Sequence, residues 1–208
     1  MFTMTKNEAK ELRNKILGFD PENQKECLKA VKQSGLALQY VKDQTPEICT
    51  IAVLNEGETL RFVKDQSDYL CLLAISQNPC NIQYIKDQSL EICLEAVKEE
   101  GLALQYVKDQ TLEICLAAVK QNGRALEYVK DQTPEICLEA VKQTGRALQF
   151  VKDQTEEICL AAVKEEALAL QYVKDQTPEI CLAAIEYGYG SPILYINDID
   201  KFINSLND

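Results

Sequence analysis

Residues 107–128 read VKDQTLEICLAAVKQNGRALEY, and at Val129 the same string begins again as VKDQTPEICLEAVK. The tetrad VKDQ, written IKDQ once, starts at Val41, Val63, Ile85, Val107, Val129, Val151 and Val173, always 22 residues apart. Cysteine keeps the same period at Cys27, Cys49, Cys71, Cys93, Cys115, Cys137, Cys159 and Cys181, and Cys80 alone stands off it. A fixed period of this length is the signature of a solenoid. Each unit is too small to bury its own apolar face and is stabilised by its neighbours.

The copies can be compared slot by slot, because each occupies an equivalent place. The opening slot is always Thr or Ser (Thr45, Ser67, Ser89, Thr111, Thr133, Thr155, Thr177), a hydroxyl suited to capping a helix. Pro follows at 46, 134 and 178, where the first helical turn tolerates it. Glu in the next slot suits the positive end of a helix dipole. Ile48, Cys49, Ala52 and Val53, with their equivalents, have i, i+1, i+4, i+5 spacing and form one apolar helical face. Gly35, Gly57, Gly101, Gly123 and Gly145 then read as C′ residues that end this helix.

The second half, such as Leu102-Ala103-Leu104-Gln105-Tyr106-Val107, admits two readings. Alternating Leu, Leu and Tyr would suit a strand, and the period would suit a leucine-rich repeat. The copies favour a helix. The first Leu slot is filled by Leu36, Glu58, Cys80, Leu102, Arg124, Arg146 and Leu168, so it is not a dependable core position. The slots of Ala103, Leu104, Tyr106 and Val107 span an arc of about 160° at helical spacing. The expectation is a second short helix of about two turns.

At the start, Thr5-Lys6-Asn7-Glu8 reads as a capping box, followed by Ala9, Leu12 and Ile16 on one face. At the end, Ile199, Phe202, Ile203 and Leu206 give a one-sided closing helix. The predicted fold is all-α: a right-handed α-solenoid of 22-residue helix-turn-helix repeats in a single domain. Residues 1–20 form the N-terminal cap, 21–186 the repeats and 187–208 the C-terminal cap.

The strings VKDQTPEICLEAVK and NGRALEYVKDQ resemble the short helical repeats grouped as domain of unknown function 4116, and the likeness covers residues 21–186. Such repeats occur in large DNA viruses that infect amoebae and in some bacteria. The resemblance implies a helical-repeat fold. It implies no enzymatic activity and supplies no functional residues.

The chain has 208 residues, 22 Lys+Arg against 33 Asp+Glu, no His and no Trp, for a net charge of −11. Without His, the commonest general base and zinc ligand are both missing. No catalytic, cofactor-binding or metal-binding residues are assigned. A ladder of Cys at repeat spacing does not converge as zinc ligands must. Equivalent residues on packed helices about 8–10 Å apart are too distant for disulfides. Cys is therefore read as a small buried hydrophobe, and Cys80, beside Pro79, as an exposed thiol. The Lys, Asp and Gln of VKDQ are read as turn chemistry that serves the next helix start. The aromatic ladder (Tyr40, Phe62, Tyr84, Tyr106, Tyr128, Phe150, Tyr172) is read as packing between repeats. The fragment 187–192, YGYGSP, breaks the repeat, lacks a following Lys-Ser/Thr and is read as a turn into the C-terminal cap.

Charge varies from copy to copy. Repeats 89–110 and 155–176 are each −3, whereas 111–132 and 133–154 are neutral. The neutral pair holds Arg124 and Arg146 in one slot, with Lys120 and Lys142 nearby. These four are the candidate partner contact. The leading functional reading is a non-catalytic scaffold that binds a protein or peptide. The alternative is an acidic decoy that mimics nucleic acid and blocks a nucleic-acid-binding protein. Direct nucleic-acid and anionic-membrane binding are not expected from an acidic chain. The N-terminus has no signal-peptide h-region, and no run approaches the roughly 18 apolar residues that span a bilayer. The expected setting is cytoplasmic (the host cytoplasm if the chain is viral). A monomer, or a weak homo-oligomer through the solenoid ends, is expected.

Overall fold

The computed structural model describes residues 5–188 and 191–206. Among them every regular element is helical. The chain divides into two compact units, 1–92 and 93–208. Unit 1 holds the α-helices α1 (Lys6–Leu17), α2 (Gln24–Gln33), α3 (Pro46–Asn55) and α4 (Asp68–Gln77). Interleaved with these are the 3-10 helices η1 (Gly35–Tyr40), η2 (Gly57–Phe62) and η3 (Pro79–Tyr84). The division falls within α5 (Leu90–Glu99). Unit 2 continues with η4 (Gly101–Tyr106), α6 (Leu112–Gln121), η5 (Gly123–Tyr128), α7 (Pro134–Gln143), η6 (Gly145–Phe150) and α8 (Glu156–Glu165). It closes with η7 (Ala167–Tyr172), α9 (Pro178–Tyr187), η8 (Pro192–Tyr195) and α10 (Ile199–Ser205). Within each unit, from α2 onward, successive α-helices pack on one another and so do successive 3-10 helices, the arrangement of an α-solenoid.

Helices α3 to α9 start where the hydroxyl slot predicts. In α6, the Ile114 amide donates to Thr111 Oγ1 at 3.3 Å, and the other copies repeat this cap. Interior helices bury the four expected residues: Ile114, Cys115, Ala118 and Val119 in α6, and their equivalents in α3, α7 and α8.

The second helix exists and has two turns, but it is a 3-10 helix rather than an α-helix. Ala103 N donates to Glu100 O at 2.9 Å, and Val107 N donates to Leu104 O at 3.0 Å. Its period is therefore 3.0 residues, so side chains three apart eclipse. Gly123, Leu126 and Val129 form one such row, and all three are buried. The row recurs as Gly145, Leu148, Val151 and as Ala167, Leu170, Val173. The next row holds the aromatic slot, which is only half-buried: Tyr128, Phe150 and Tyr172 lie at the surface edge of the stack rather than in its core. At 120° per residue these side chains lie away from the Leu row.

The glycines do not end helices in the left-handed conformation. Gly18 is the only glycine with positive φ among the described residues. The C-caps are instead the extended residues just before, such as Asn122 at φ −151° and Thr144 at φ −155°. Each glycine opens a 3-10 helix under a carbonyl of the following repeat. A Cβ at Gly123 would sit 2.6 Å from Ala140 O, and one at Gly145 would sit 2.5 Å from Ala162 O. The recurrent Gly and the recurrent Ala are thus two sides of one close contact.

Glutamine joins the repeats. The Gln132 amide nitrogen donates to Leu126 O at 3.3 Å in its own repeat and to Phe150 O at 2.9 Å in the next. Its Oε1 accepts from Lys152 N at 3.0 Å. Gln44, Gln66, Gln110 and Gln154 make the same three bonds. The VKDQ glutamine therefore satisfies the exit of the neighbouring 3-10 helix, not the start of the next α-helix. A second amide is added by the last residue of some helices. Gln143 Oε1 accepts from Gly123 N at 2.8 Å, and Gln121 Oε1 accepts from Gly101 N at 2.7 Å. These bonds supply partners for backbone groups that helix ends leave open.

The ends differ from the expected caps. The Thr5–Glu8 capping box forms, yet α1 buries no residue; Leu12 and Ile16 stay exposed. Its attachment to the first repeat is ionic, through Lys10 and Arg13 to Glu22. In α10 only Phe202 is buried, while Ile199, Ile203 and Leu206 remain exposed, because this short helix packs on α9 alone among the α-helices. Of the YGYGSP fragment, Tyr189 and Gly190 lie outside the described residues.

Candidate functional site

Lys, Asp and Cys of the three ladders line a groove between the VKDQ turn and its α-helix at 63–66 and at 173–176. In unit 1 a cavity of about 570 Å³ is lined by Lys64, Asp65, Gln66, Cys71, Lys86 and Asp87, among others. Lysine reaches along the stack: Lys86 Nζ donates to Lys64 O at 2.7 Å, and Lys152 Nζ donates to Lys130 O at 2.9 Å. The ammonium groups thus serve backbone carbonyls, while the aspartates beside them remain exposed. Cationic and anionic rungs interleave along this edge.

The ladder cysteines are buried, as expected, and no cysteine forms a disulfide. Cys137 Sγ donates to Gln132 Oε1 at 3.7 Å. Burial pushes these thiols above their ordinary range, and for Cys137 Asp153 of the following turn adds to the shift. Cys71 is pushed up to about 11, first by burial, then by Asp68 and Asp87. Cys80 is half-buried in η3. In native protein at pH 8, a thiol reagent followed by peptide mass spectrometry should label Cys80 first and the ladder only on unfolding. The folded thiol binds its proton more tightly than the unfolded one, whose pKa is about 8.5. Its stabilising contribution is therefore complete below that pH and declines as pH rises toward 11. Urea midpoints between pH 8 and 11 should fall, and less steeply in Cys71→Ala.

Four residues were expected to form a partner contact, and the structure brings two of them together. Arg124 and Arg146, each in the second position of its 3-10 helix, line one cavity of about 420 Å³ in unit 2. Asn122, Gln143, Thr144 and Gln149 supply its polar wall, and Phe150 and Tyr172 its aromatic wall. Lys120 and Lys142 are exposed in the last turns of α6 and α7 and do not line it. Helical phase explains the separation. A residue before the extended cap and one after it leave the stack in different directions.

The two arginines are held differently. Arg146 Nε donates to Glu166 Oε1 at 2.7 Å, which raises the guanidinium pKa further. Arg124 forms no ion pair among the described residues, and Asn122 Oδ1 accepts from its backbone amide at 3.0 Å. The sequence reading missed Phe150 and Tyr172 as site walls because it placed them in the core. In unit 1, Arg61 lies 4.7 Å from the Phe62 ring centroid and 5.7 Å from that of Tyr84. The aromatic ladder can thus receive a cation or a flat group on its open face.

Among the described residues no group of three His, Cys, Asp or Glu side chains is placed to hold a metal ion. No described helix is long and apolar enough to cross a membrane.

No curated protein and no solved structure matches the chain. Four overlapping stretches, 69–112, 89–133, 111–156 and 133–177, match the family described as Domain of unknown function (DUF4116). Each stretch covers two successive 22-residue units, so the family module corresponds to a stitched pair rather than to one repeat. Together they span just over half of the chain, which belongs to the Domain of unknown function (DUF4116) family.

Proposed function

We propose that the protein is a non-catalytic scaffold whose 3-10 surface in unit 2 binds an acidic segment of a protein or peptide. One observation carries the reading: Arg124 and Arg146 occupy the same repeat slot and open into one cavity beside two half-buried rings. The frame around them repeats and is engaged in its own hydrogen bonds. The slot itself varies, as a recognition position on a repeat scaffold does. A carboxylate of the partner pairs with Arg124, and its aliphatic carbons rest on Phe150 and Tyr172. Interleaved Lys and Asp along the VKDQ edge favour this reading over a nucleic-acid mimic, which needs an unbroken acidic face. A reducing cytoplasmic setting suits nine cysteines that form no disulfide.

The test is fluorescence anisotropy with a labelled glutamate-rich peptide. Arg124→Glu/Arg146→Glu should weaken binding by about tenfold or more, since reversal places like charges in contact. Both side chains are exposed, so the melting temperature should stay nearly unchanged. Equal affinity for both proteins would remove the site.

A further inference from the structure

The Arg124/Arg146 cavity holds one open arginine and one closed arginine, and a single repeat slot decides which is which. Twenty residues beyond Arg146 stands Glu166, the C-cap of α8, whose Oε1 accepts from Arg146 Nε at 2.7 Å. Twenty residues beyond Arg124 stands Thr144, the C-cap of α7. Threonine has no charge to pair with, and Arg124 forms no ion pair among the described residues. No carboxylate lines the cavity itself, and Glu166 reaches Arg146 from beside it. This ion pair is open to water, the Arg146 side chain being 61% exposed and that of Glu166 28%. Pairs of this kind are weak and exchange easily.

The same slot in unit 1 shows a second position for its carboxylate. Glu56, the C-cap of α3, accepts through Oε1 from Gly35 N at 3.2 Å and from Ser34 Oγ at 3.2 Å. Leu36 stands there where Arg146 stands in η6, which leaves Glu56 no cation to choose. The counterpart of Gly35 beside Glu166 is Gly145, which opens η6. A Cβ at Gly35 would sit 3.3 Å from Glu56 Cβ, and one at Gly145 would sit 2.7 Å from Glu166 Cβ. The two glutamates therefore stand over the two glycines alike.

The Gly145 amide is open to such an acceptor. The amides of Gly101 and Gly123 are taken by Gln121 and Gln143. The matching residue of α8 is Glu165, and among the described residues the Gly145 amide donates to no acceptor. Glutamate in this slot thus has two partners to choose between, a guanidinium and a backbone amide.

We infer that Glu166 is a displaceable gate on Arg146: it holds the guanidinium in the free protein and moves to the Gly145 amide when a second carboxylate of the bound acidic segment arrives. The inference rests on the proposed function, in which the first carboxylate pairs with Arg124. It adds that the segment presents two acidic side chains, one to each arginine, and that the protein's own glutamate opposes the second.

The test is fluorescence anisotropy with the labelled glutamate-rich peptide and the full chain. Glu166→Thr follows the residue that the slot already holds at Thr144, too short to hold Arg146, and Glu166→Asn follows Asn122 as a second variant. Circular dichroism melts verify that each folds like the parent. Without the competing carboxylate, both should bind about three- to fivefold more tightly, the upper part of the range for an exposed ion pair. Arg146→Gln should weaken the parent only slightly, because its guanidinium is already occupied, and should abolish the gain from Glu166→Thr. A gain that persists in Arg146→Gln would be a general effect of the lost negative charge and overturns the inference, as does unchanged affinity in both Glu166 variants. Binding that falls in Arg124→Gln but ignores Glu166 leaves the acidic-segment reading standing and removes the gate alone. A peptide that binds none of these proteins overturns both.

Discussion

Gly123→Val is expected to lower the unfolding free energy by about 3 kcal/mol, the upper part of the range for overpacking a close contact. The midpoint of thermal unfolding should fall by about 6–12 °C for a chain of this size. The first obstacle is backbone: the new Cβ would stand 2.6 Å from Ala140 O. The next two are side chains, Thr144 Cγ2 at 2.8 Å and Gln143 Oε1 at 2.9 Å. Gln143 cannot retreat freely, because that same oxygen accepts from Gly123 N at 2.8 Å. Valine therefore adds bulk and also weakens the hydrogen bond that joins the repeats here. The copies provide a control. Ala167 fills this slot in η7 and remains buried, so Gly123→Ala should cost clearly less than Gly123→Val. Denaturant titration of the three proteins checks the ranking. Equal stabilities would mean that the stack opens easily at this contact.

Leu126→Ala should cost about 3–4 kcal/mol, within the range for emptying a fully buried leucine site. Leu126 is 0% exposed and sits at the centre of the eclipsed row between Gly123 and Val129. Its 3-10 helix packs against η4, η6, α6 and α7. Collapse around the cavity is limited because the Gln110 and Gln132 amides hold the backbone of the C-terminal half of η5, at Tyr128 O and Leu126 O. Ile82 occupies the equivalent slot in η3, so Leu126→Ile should lose less than about 1.5 kcal/mol. In a repeat stack the damage is transmitted through nearest neighbours. Hydrogen exchange should therefore accelerate most in α6, η5 and α7 and least toward α10. Uniform acceleration across unit 2 would instead indicate one indivisible cooperative block.

The candidate arginine pair was legible for a specific reason. Arg124 and Arg146 stand out only when copies are laid over each other, and the structure places them in one cavity. Lys120 and Lys142 were close in sequence but not in direction, because the chain passes through an extended cap between helix and 3-10 turn. Phe150 and Tyr172 were misplaced for a geometric reason. At the 3-10 pitch the aromatic eclipses the Ala three residues earlier and stands about 120° from the row of Leu and Val, and spacing alone does not show that this slot falls at the edge of the stack. Glutamine was assigned to the wrong partner because its acceptors lie 18 residues away in the following repeat. A single-copy view shows only the nearby helix start.

Local chemistry was enough for the 22-residue frame, the hydroxyl caps and the buried Ile, Cys, Ala and Val slots. Each depends on propensity and spacing within a few residues, and each is written eight times or nearly so. The type of the second helix, the purpose of the glycines and the role of the VKDQ amides depended on contact between copies. A carbonyl under Gly123 and an amide reaching to Phe150 O exist only when the next repeat is in place. The ends were decided the same way. Leu12, Ile16, Ile199 and Ile203 have the pattern of packed helix faces, but burial requires a surface opposite, and the described fold supplies none. Periodicity shows which side of a helix is apolar, and only the folded neighbours determine whether that side is covered.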